Sequence, residues 1–290
     1  MMSRMNRRDF LKRSAAGLAA LPAALPATAA DTPLLPTTQR TLGNTGIKTT
    51  LLGIGTGTKA WNKSSEQNRA GRESFLRTLT TAYERGLRYY DLADMYGSHE
   101  YFRDAAKQAG MRRDELTVLT KTNAQDLAGV RADMDRMRAE AGVDYFDIVL
   151  IHCMTDKDWN VKMRPVMDGL EEAKQKGVIR AHGVSCHSLE ALETAAAEPW
   201  AEVMLSRINP FGAKMDGPPE TVVPVLKKAH ASGKGMLGMK IVGEGKHVDR
   251  MAESARYVLG LGCIHAFTIG MVRHEEVDDT IAKITEAARS

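Results

Sequence analysis

With 290 residues, 43% of them hydrophobic and 26% charged, the chain is long enough to bury one large core and too apolar to stay disordered. Its formal net charge of +4 is concentrated at one end: Arg4, Arg7, Arg8, Lys12 and Arg13 stand against Asp9 alone, so the chain beyond residue 30 is close to neutral and gives no electrostatic reason to expect nucleic acid as a partner. Cys153, Cys186 and Cys263 lack C-x-x-C spacing, which excludes a disulfide framework and a structural zinc site.

In chain order, Asn6-Arg7-Arg8-Asp9-Phe10-Leu11-Lys12 opens an alanine-rich apolar run from Ala15 to Leu25, followed by the small residues Ala27-Thr28-Ala29. This reads as a twin-arginine signal peptide over 1–30, cleaved near Ala29 or Ala30, with a disordered basic tail as the alternative. The twin-arginine export machinery is then an expected partner and the periplasm the expected location. The apolar run falls short of the roughly 20 residues that cross a bilayer, so no permanent membrane anchor is expected. The Pro- and Thr-rich stretch Asp31–Thr38 makes 31–40 a flexible lead-in to a folded domain over 41–290.

From Thr49 onward, short β-branched or apolar runs alternate with segments of helical period. The runs Thr50–Ile54, Arg88–Asp91, Thr117–Thr120, Ile148–Ile151, Ala181–Val184, Val203–Ile208, Met236–Met239 and Phe267–Ile269 predict strands. Helices are predicted between and after them at Glu73–Glu84, Val130–Ala141, Val166–Lys176, Leu189–Ala197, Val222–Ala231, Val248–Leu259 and Glu275–Ala288, with Ser98 placed to cap another through Phe102 and Ala106. Parallel strands joined by helices need an outer cover, and eight such units close into a single (β/α)8 TIM barrel of the α/β class.

Active sites of such barrels lie at the C-terminal strand ends, where Asp91, Lys121 and His152 end or follow three consecutive strands and Tyr96 returns from the loop that starts at Asp91. A phenol donates poorly near neutral pH unless a cation favours its anion, which Lys121 can supply; a lysine in a dry mouth needs a carboxylate, which is Asp91. His152 can hold the substrate oxygen. Singly each residue has a duller use, as loop cap, surface aromatic, solvated terminus or core imidazole. Their convergence favours catalysis.

The blocks Arg85-Gly86-Leu87-Arg88-Tyr89-Tyr90-Asp91-Leu92-Ala93-Asp94-Met95-Tyr96-Gly97, Thr117-Val118-Leu119-Thr120-Lys121-Thr122 and Asp147-Ile148-Val149-Leu150-Ile151-His152 resemble the aldo-keto reductase family. The resemblance runs from Leu42-Gly43 to the last helix. It implies an NAD(P)-dependent oxidoreductase that moves a hydride between nicotinamide and a small carbonyl or alcohol substrate, with Tyr96 as general acid, NADP as cofactor and NAD possible. A catalytically weak nucleotide-binding or interaction module on the same barrel is the alternative.

Gly55-Thr56-Gly57-Thr58-Lys59-Ala60 matches the dinucleotide fingerprint G-x-G-x-x-A formally, but Trp61-Asn62-Lys63-Ser64-Ser65 does not open the helix that this fingerprint needs. The resemblance instead sets Thr56 and Gly57 beside the nicotinamide, with Trp61 lining the substrate mouth or packing on its rim. It gives Ser185, Cys186 and Leu205 to the carboxamide, although Cys186 and Leu205 stand where the family carries Asn and Gln. Met239 replaces a stacking Tyr, a mild change for a thioether. Around Gly270, where family members bring Lys-Ser and Arg to a 2′-phosphate, this chain offers Met271 and Glu276, leaving Arg273, or Lys240 from the preceding strand end, as the phosphate's partner.

His152, Cys153, Cys186 and His187 gather soft ligands, yet neighbours on a strand point to opposite faces, so no metal is expected. Export leaves one Cys153–Cys186 bridge open, with strand register to decide it.

Overall fold

The computed structural model describes residues 34–289; the signal-like stretch over 1–30 lies outside them. An antiparallel hairpin of β1 (Gln39–Thr41) and β2 (Lys48–Thr50) precedes eight parallel strands. These are β3 (Leu52–Gly55), β4 (Tyr89–Asp91), β5 (Thr117–Thr122), β6 (Phe146–Met154), β7 (Ile179–Cys186), β8 (Val203–Arg207), β9 (Gly235–Met239) and β10 (Ala266–Gly270), and they close into a barrel with β10 beside both β9 and β3. The (β/α)8 architecture expected from the alternating pattern is the one observed.

Around the barrel run α1 (Glu66–Arg69), α2 (Arg72–Glu84), α3 (His99–Ala109), α4 (Leu127–Ala141), α5 (Trp159–Lys162), α6 (Arg164–Gln175), α7 (Leu189–Ala197), α8 (Pro219–Ala231), α9 (Met251–Gly260) and α10 (Glu275–Arg289). The helix expected from Val248 starts at Met251, because Val248–Arg250 forms a separate 3-10 turn. Among the described residues, no helix is long and apolar enough to cross a membrane.

Period-two alternation sorts the strand residues into two cores. Tyr89, Leu119, Ile148, Leu150, Ala181, Val203, Leu205 and Leu237 fill the barrel interior, and Leu42 and Ile47 from the hairpin connection join that cluster. Gly43 packs against Gly233 to Gly235 just before β9, so the hairpin closes the N-terminal end of the barrel and leaves the C-terminal end open. Residues of opposite parity, such as Leu52, Tyr90, Val118, Val149, Val184 and Phe267, face the helices.

Two further expectations change here. The predicted strand Thr50–Ile54 is two strands broken at Leu51, where the chain leaves the hairpin and enters the barrel. The lead-in is ordered from Leu34 rather than flexible through residue 40, because Leu51 N–H donates to the Thr38 carbonyl and Leu52 N–H to that of Pro36, both at 2.9 Å. Backbone pairing with a barrel strand outweighs the polar composition that suggested disorder.

Candidate active site

Inward parity at three neighbouring strand ends carries Asp91, Lys121 and His152 to one mouth. Asp91 and Lys121 are 5% and 1% exposed, and Lys121 Nζ donates to Asp91 Oδ1 and, at 2.9 Å, to the Leu92 carbonyl. The second carboxylate oxygen accepts from Thr268 Oγ1 at 3.2 Å. A buried ion pair holds together only when such further bonds satisfy its remaining atoms. Thr268 was not singled out from sequence, though its signal was present: a hydroxyl at the inward position between Ala266 and Gly270 on an apolar strand.

Tyr96 closes a 3-10 turn over Asp94–Tyr96, and its ring lies over the ammonium, 4.7 Å from Lys121 Nζ to the centroid. The His152 ring meets it edge-on at 5.6 Å between centroids. Burial of the hydroxyl end, with Asp91 and then Cys153 adding to it, raises the phenol well above its usual pKa. Dryness and a near carboxylate thus act against the expectation that Lys121 makes this phenol acidic. The consequence is a tyrosine that keeps its proton. Burial, then Lys121 and His187, push His152 well below the ordinary imidazole value, so it stands neutral, and its Nδ1 has no hydrogen-bond partner among the described residues.

The glycine-rich turn after β3 fastens this arrangement. Thr56 Oγ1 donates to the Asp91 carbonyl at 2.8 Å and lies 2.9 Å from Ser98 Oγ. Ser98 does occupy the N-cap of α3, but its hydroxyl is engaged with Thr56 and makes no cap bond. No helix opens after Ala60; α1 starts at Glu66 behind a Ser65–Asn68 capping box, and Asn68 Nδ2 donates to the Tyr96 carbonyl at 3.0 Å. Gly57 faces the Tyr96 ring so closely that a Cβ there would lie 2.5 Å from it. Trp61 is 74% exposed on the same loop.

A cleft of ≈ 360 Å³ leads from Asp91 and Tyr96 past Met239 and Gly270 to Glu276 at the start of α10. Met239, Lys240, Gly57 and Gly270 line it, while Arg273 is exposed and does not.

The sequence profile of the Aldo/keto reductase family matches residues 52–260. The chain belongs to that family. Methylglyoxal reductase DkgB of Escherichia coli O157:H7 is 30% identical over 131 residues, 43% of this chain and 47% of that protein. Aldo-keto reductase YhdN of Bacillus subtilis is 27% identical over 205 residues, 64% and 57% of the two chains. The chain thus spans about half the length of the curated relatives it matches. In fold it is similar to aldo-keto reductase AKR11C1 from Bacillus halodurans in its holo form, with TM-score 0.69, 16% identity and coverage of 87% and 95%. The Bombyx mori aldo-keto reductase AKR2E4 in complex with NADP gives 0.65, 18%, 86% and 92%.

Against this family's pattern, the structure separates the residues expected at the carboxamide. Ser185 has inward parity, and its Oγ accepts Cys153 N–H at 2.9 Å, leaving the hydroxyl proton free to donate. Cys186 has outward parity: it is fully buried against α7, with Sγ 3.6 Å from the Ala191 carbonyl, and so does not face the mouth. Leu205 belongs to the apolar interior. Of the three, only Ser185 combines inward parity with a polar side chain.

Strand alternation also breaks at one point. Ile151 pairs with Val184 and Met154 with Cys186, so β6 carries one residue more than β7 between them. This bulge sets Cys153 at φ 61° and turns it to the mouth beside His152, with Sγ 3.7 Å from His187 Nε2. The same rotation leaves Cys153 and Cys186 as free thiols, not a bridge.

Proposed function

We propose that this chain is an NAD(P)-dependent oxidoreductase that reduces a small carbonyl compound, or oxidises the matching alcohol, with Tyr96 as the general acid. The carrying observation is the buried Lys121–Asp91 pair beneath the Tyr96 ring, with Asp91 and Tyr96 lining the cleft. Family membership supports the same reading.

The cleft fits a nicotinamide dinucleotide at its reaction end: its volume lies in the usual range for small-molecule sites, and Gly55 and Gly270 present backbone where side chains would fill it. A Cβ on Gly270 would stand 2.1 Å from Thr58 Oγ1. Gly57, Met239 and Lys240 would border the bound group, Thr56 would brace it from behind, and Ser185 would hold the carboxamide. Bound there, the dinucleotide would supply the hydride.

Tyr96 holds its proton until an oxygen anion forms beside it, and then delivers it. Lys121 stabilises the phenolate left behind, and Asp91, the Leu92 carbonyl and Thr268 keep that ammonium and carboxylate in place. His152, neutral and buried, donates to the substrate oxygen and fixes its direction. Positioned acid catalysis contributes about 10² to 10⁴-fold, so Tyr96→Phe should lose that much turnover while retaining dinucleotide affinity. Stopped-flow oxidation of bound cofactor by aldehydes, ketones and aldoses is the measurement, with methylglyoxal, the substrate in one relative's name, as a first probe. A wild-type protein that reacts with none of them supports the second reading, a nucleotide-binding module of weak turnover, which the outward Cys186 and apolar Leu205 favour.

We further propose that residues 1–30 direct export of the folded protein by the twin-arginine machinery to the periplasm, with cofactor loaded beforehand and retained. Mass spectrometry of the native protein would then read a start near Ala30 and a carried nucleotide.

A further inference from the structure

Resting on the dinucleotide reading above, we propose that this cleft selects a dinucleotide whose adenosine ribose carries free hydroxyls, NAD over NADP. Besides Asp91, four carboxylates, Glu66, Glu244, Glu276 and Asp279, line the cleft against two lysines, Lys59 and Lys240. Its two lysines are each already paired. Lys59 Nζ lies 2.7 Å from Glu66 Oε1, and Lys240 Nζ lies 2.5 Å from Glu244 Oε1, with Lys214 a further partner of Glu244 at 3.4 Å. Lys240, expected as a phosphate partner, is thus engaged.

Glu276 and Asp279 stand three residues apart on α10, where the cleft ends. Glu276 Oε2 accepts Val272 N–H at 2.8 Å, and Asp279 pairs with Lys283 at 2.6 Å, which does not line the cleft. A helix N-terminus ordinarily favours an anion, but the first turn of α10 already carries Glu275, Glu276 and Asp278, which take up that field. Arg273 makes no ion pair among the described residues and sits off the wall.

Carboxylates accept hydrogen bonds from vicinal ribose hydroxyls, which both lie within reach of a single Asp or Glu. A 2′-phosphate at neutral pH brings close to two negative charges, offers the carboxylates no proton, and meets their repulsion. The pyrophosphate is common to both dinucleotides and cancels from the comparison. Charge at the far end therefore decides.

The test is direct titration of the full chain with NADH and NADPH, read as fluorescence of the bound dinucleotide at fixed salt. NADH should bind about ten-fold tighter, which corresponds to about 1.4 kcal/mol. The double variant Glu276→Gln, Asp279→Asn keeps acceptors for Val272 N–H and ribose, and should bring the two dissociation constants within about three-fold of each other. A wild-type preference for NADH below three-fold, or any preference for NADPH, overturns the proposal. So does an unchanged ratio in the double variant. If neither dinucleotide binds, the functional reading on which this rests falls with it, a result distinct from NADPH binding well.

Discussion

Gly57→Ala isolates the placement of Tyr96 from its chemistry. The added Cβ would stand 2.5 Å from both Cε2 and Cζ of the Tyr96 ring and 2.6 Å from Cδ2. Carbon atoms in contact settle about 3.5 to 4.0 Å apart, so the ring must retreat by about 1 Å or more at its hydroxyl end. Nothing in the backbone at Gly57 opposes alanine, because it is not among the positive-φ glycines. The ring is partly exposed and its turn can give, so the cost to folding is that of ordinary overpacking, about 1 to 3 kcal/mol. A 1 Å misplacement of a catalytic group can cost about 10²-fold, equal to about 2.7 kcal/mol of barrier. The assay is single-turnover reduction of a small aldehyde at saturating dinucleotide, with the dissociation constant measured separately, because Gly57 also lines the cleft. Gly260→Ala, which meets open space at the end of α9, serves as the silent control. A Gly57→Ala protein that reacts within three-fold of wild type, or loses only affinity, would refute the claim that the seat of this ring governs the reaction.

Asp91→Asn leaves the Lys121 ammonium buried without its counter-charge, and breaking such a pair should lower the unfolding free energy by about 3 to 5 kcal/mol, measured by urea denaturation at neutral pH. Acid should weaken the fold through His265, whose pKa burial, then His230 and Arg40, lower to about 4. Its Nδ1 accepts Met236 N–H at 3.0 Å, a bond that only the unprotonated nitrogen can make. The unfolded chain takes up this proton near pH 6.5 and the folded one does not. Stability contributed at neutral pH is therefore lost as pH falls from about 6.5 to about 4, by roughly 1 to 3 kcal/mol. A His265→Gln protein whose urea midpoint falls over that window as steeply as the wild type's would dismiss His265 as the cause.

The barrel was legible because its strands are short apolar runs separated by amphipathic helices, and packing preserves that period: α7 over Leu189–Ala197 has the bounds read from sequence. The hairpin of β1 and β2 was not, since three-residue polar strands carry no periodic signal, and only Leu42 and Ile47 betray their burial against the barrel interior. Ser98 shows how a correct local signal can be put to other use: it caps by position, while the nearby Thr56 hydroxyl captures its side chain.

The polar residues of the mouth divide along the same line. Asp91, Lys121 and His152 could be placed from sequence because strand parity and strand ends are visible there, and a side chain at an inward strand end has one direction to take. Cys153 could not, because the bulge that turns it rests on a non-glycine residue at φ 61°, a conformation costing roughly 1 to 2 kcal/mol that no residue type announces. That bulge has a purpose in the geometry. It lets Cys153 N–H reach Ser185 Oγ, tying the fourth barrel strand end to the fifth one residue beyond His152. The Cys153 backbone thus fixes which lone pair Ser185 has already given away, and so the direction in which its remaining hydrogen can point. With Cys186 turned outward and Leu205 apolar, that oriented hydroxyl is the polar group that the proposed carboxamide contact would have to use.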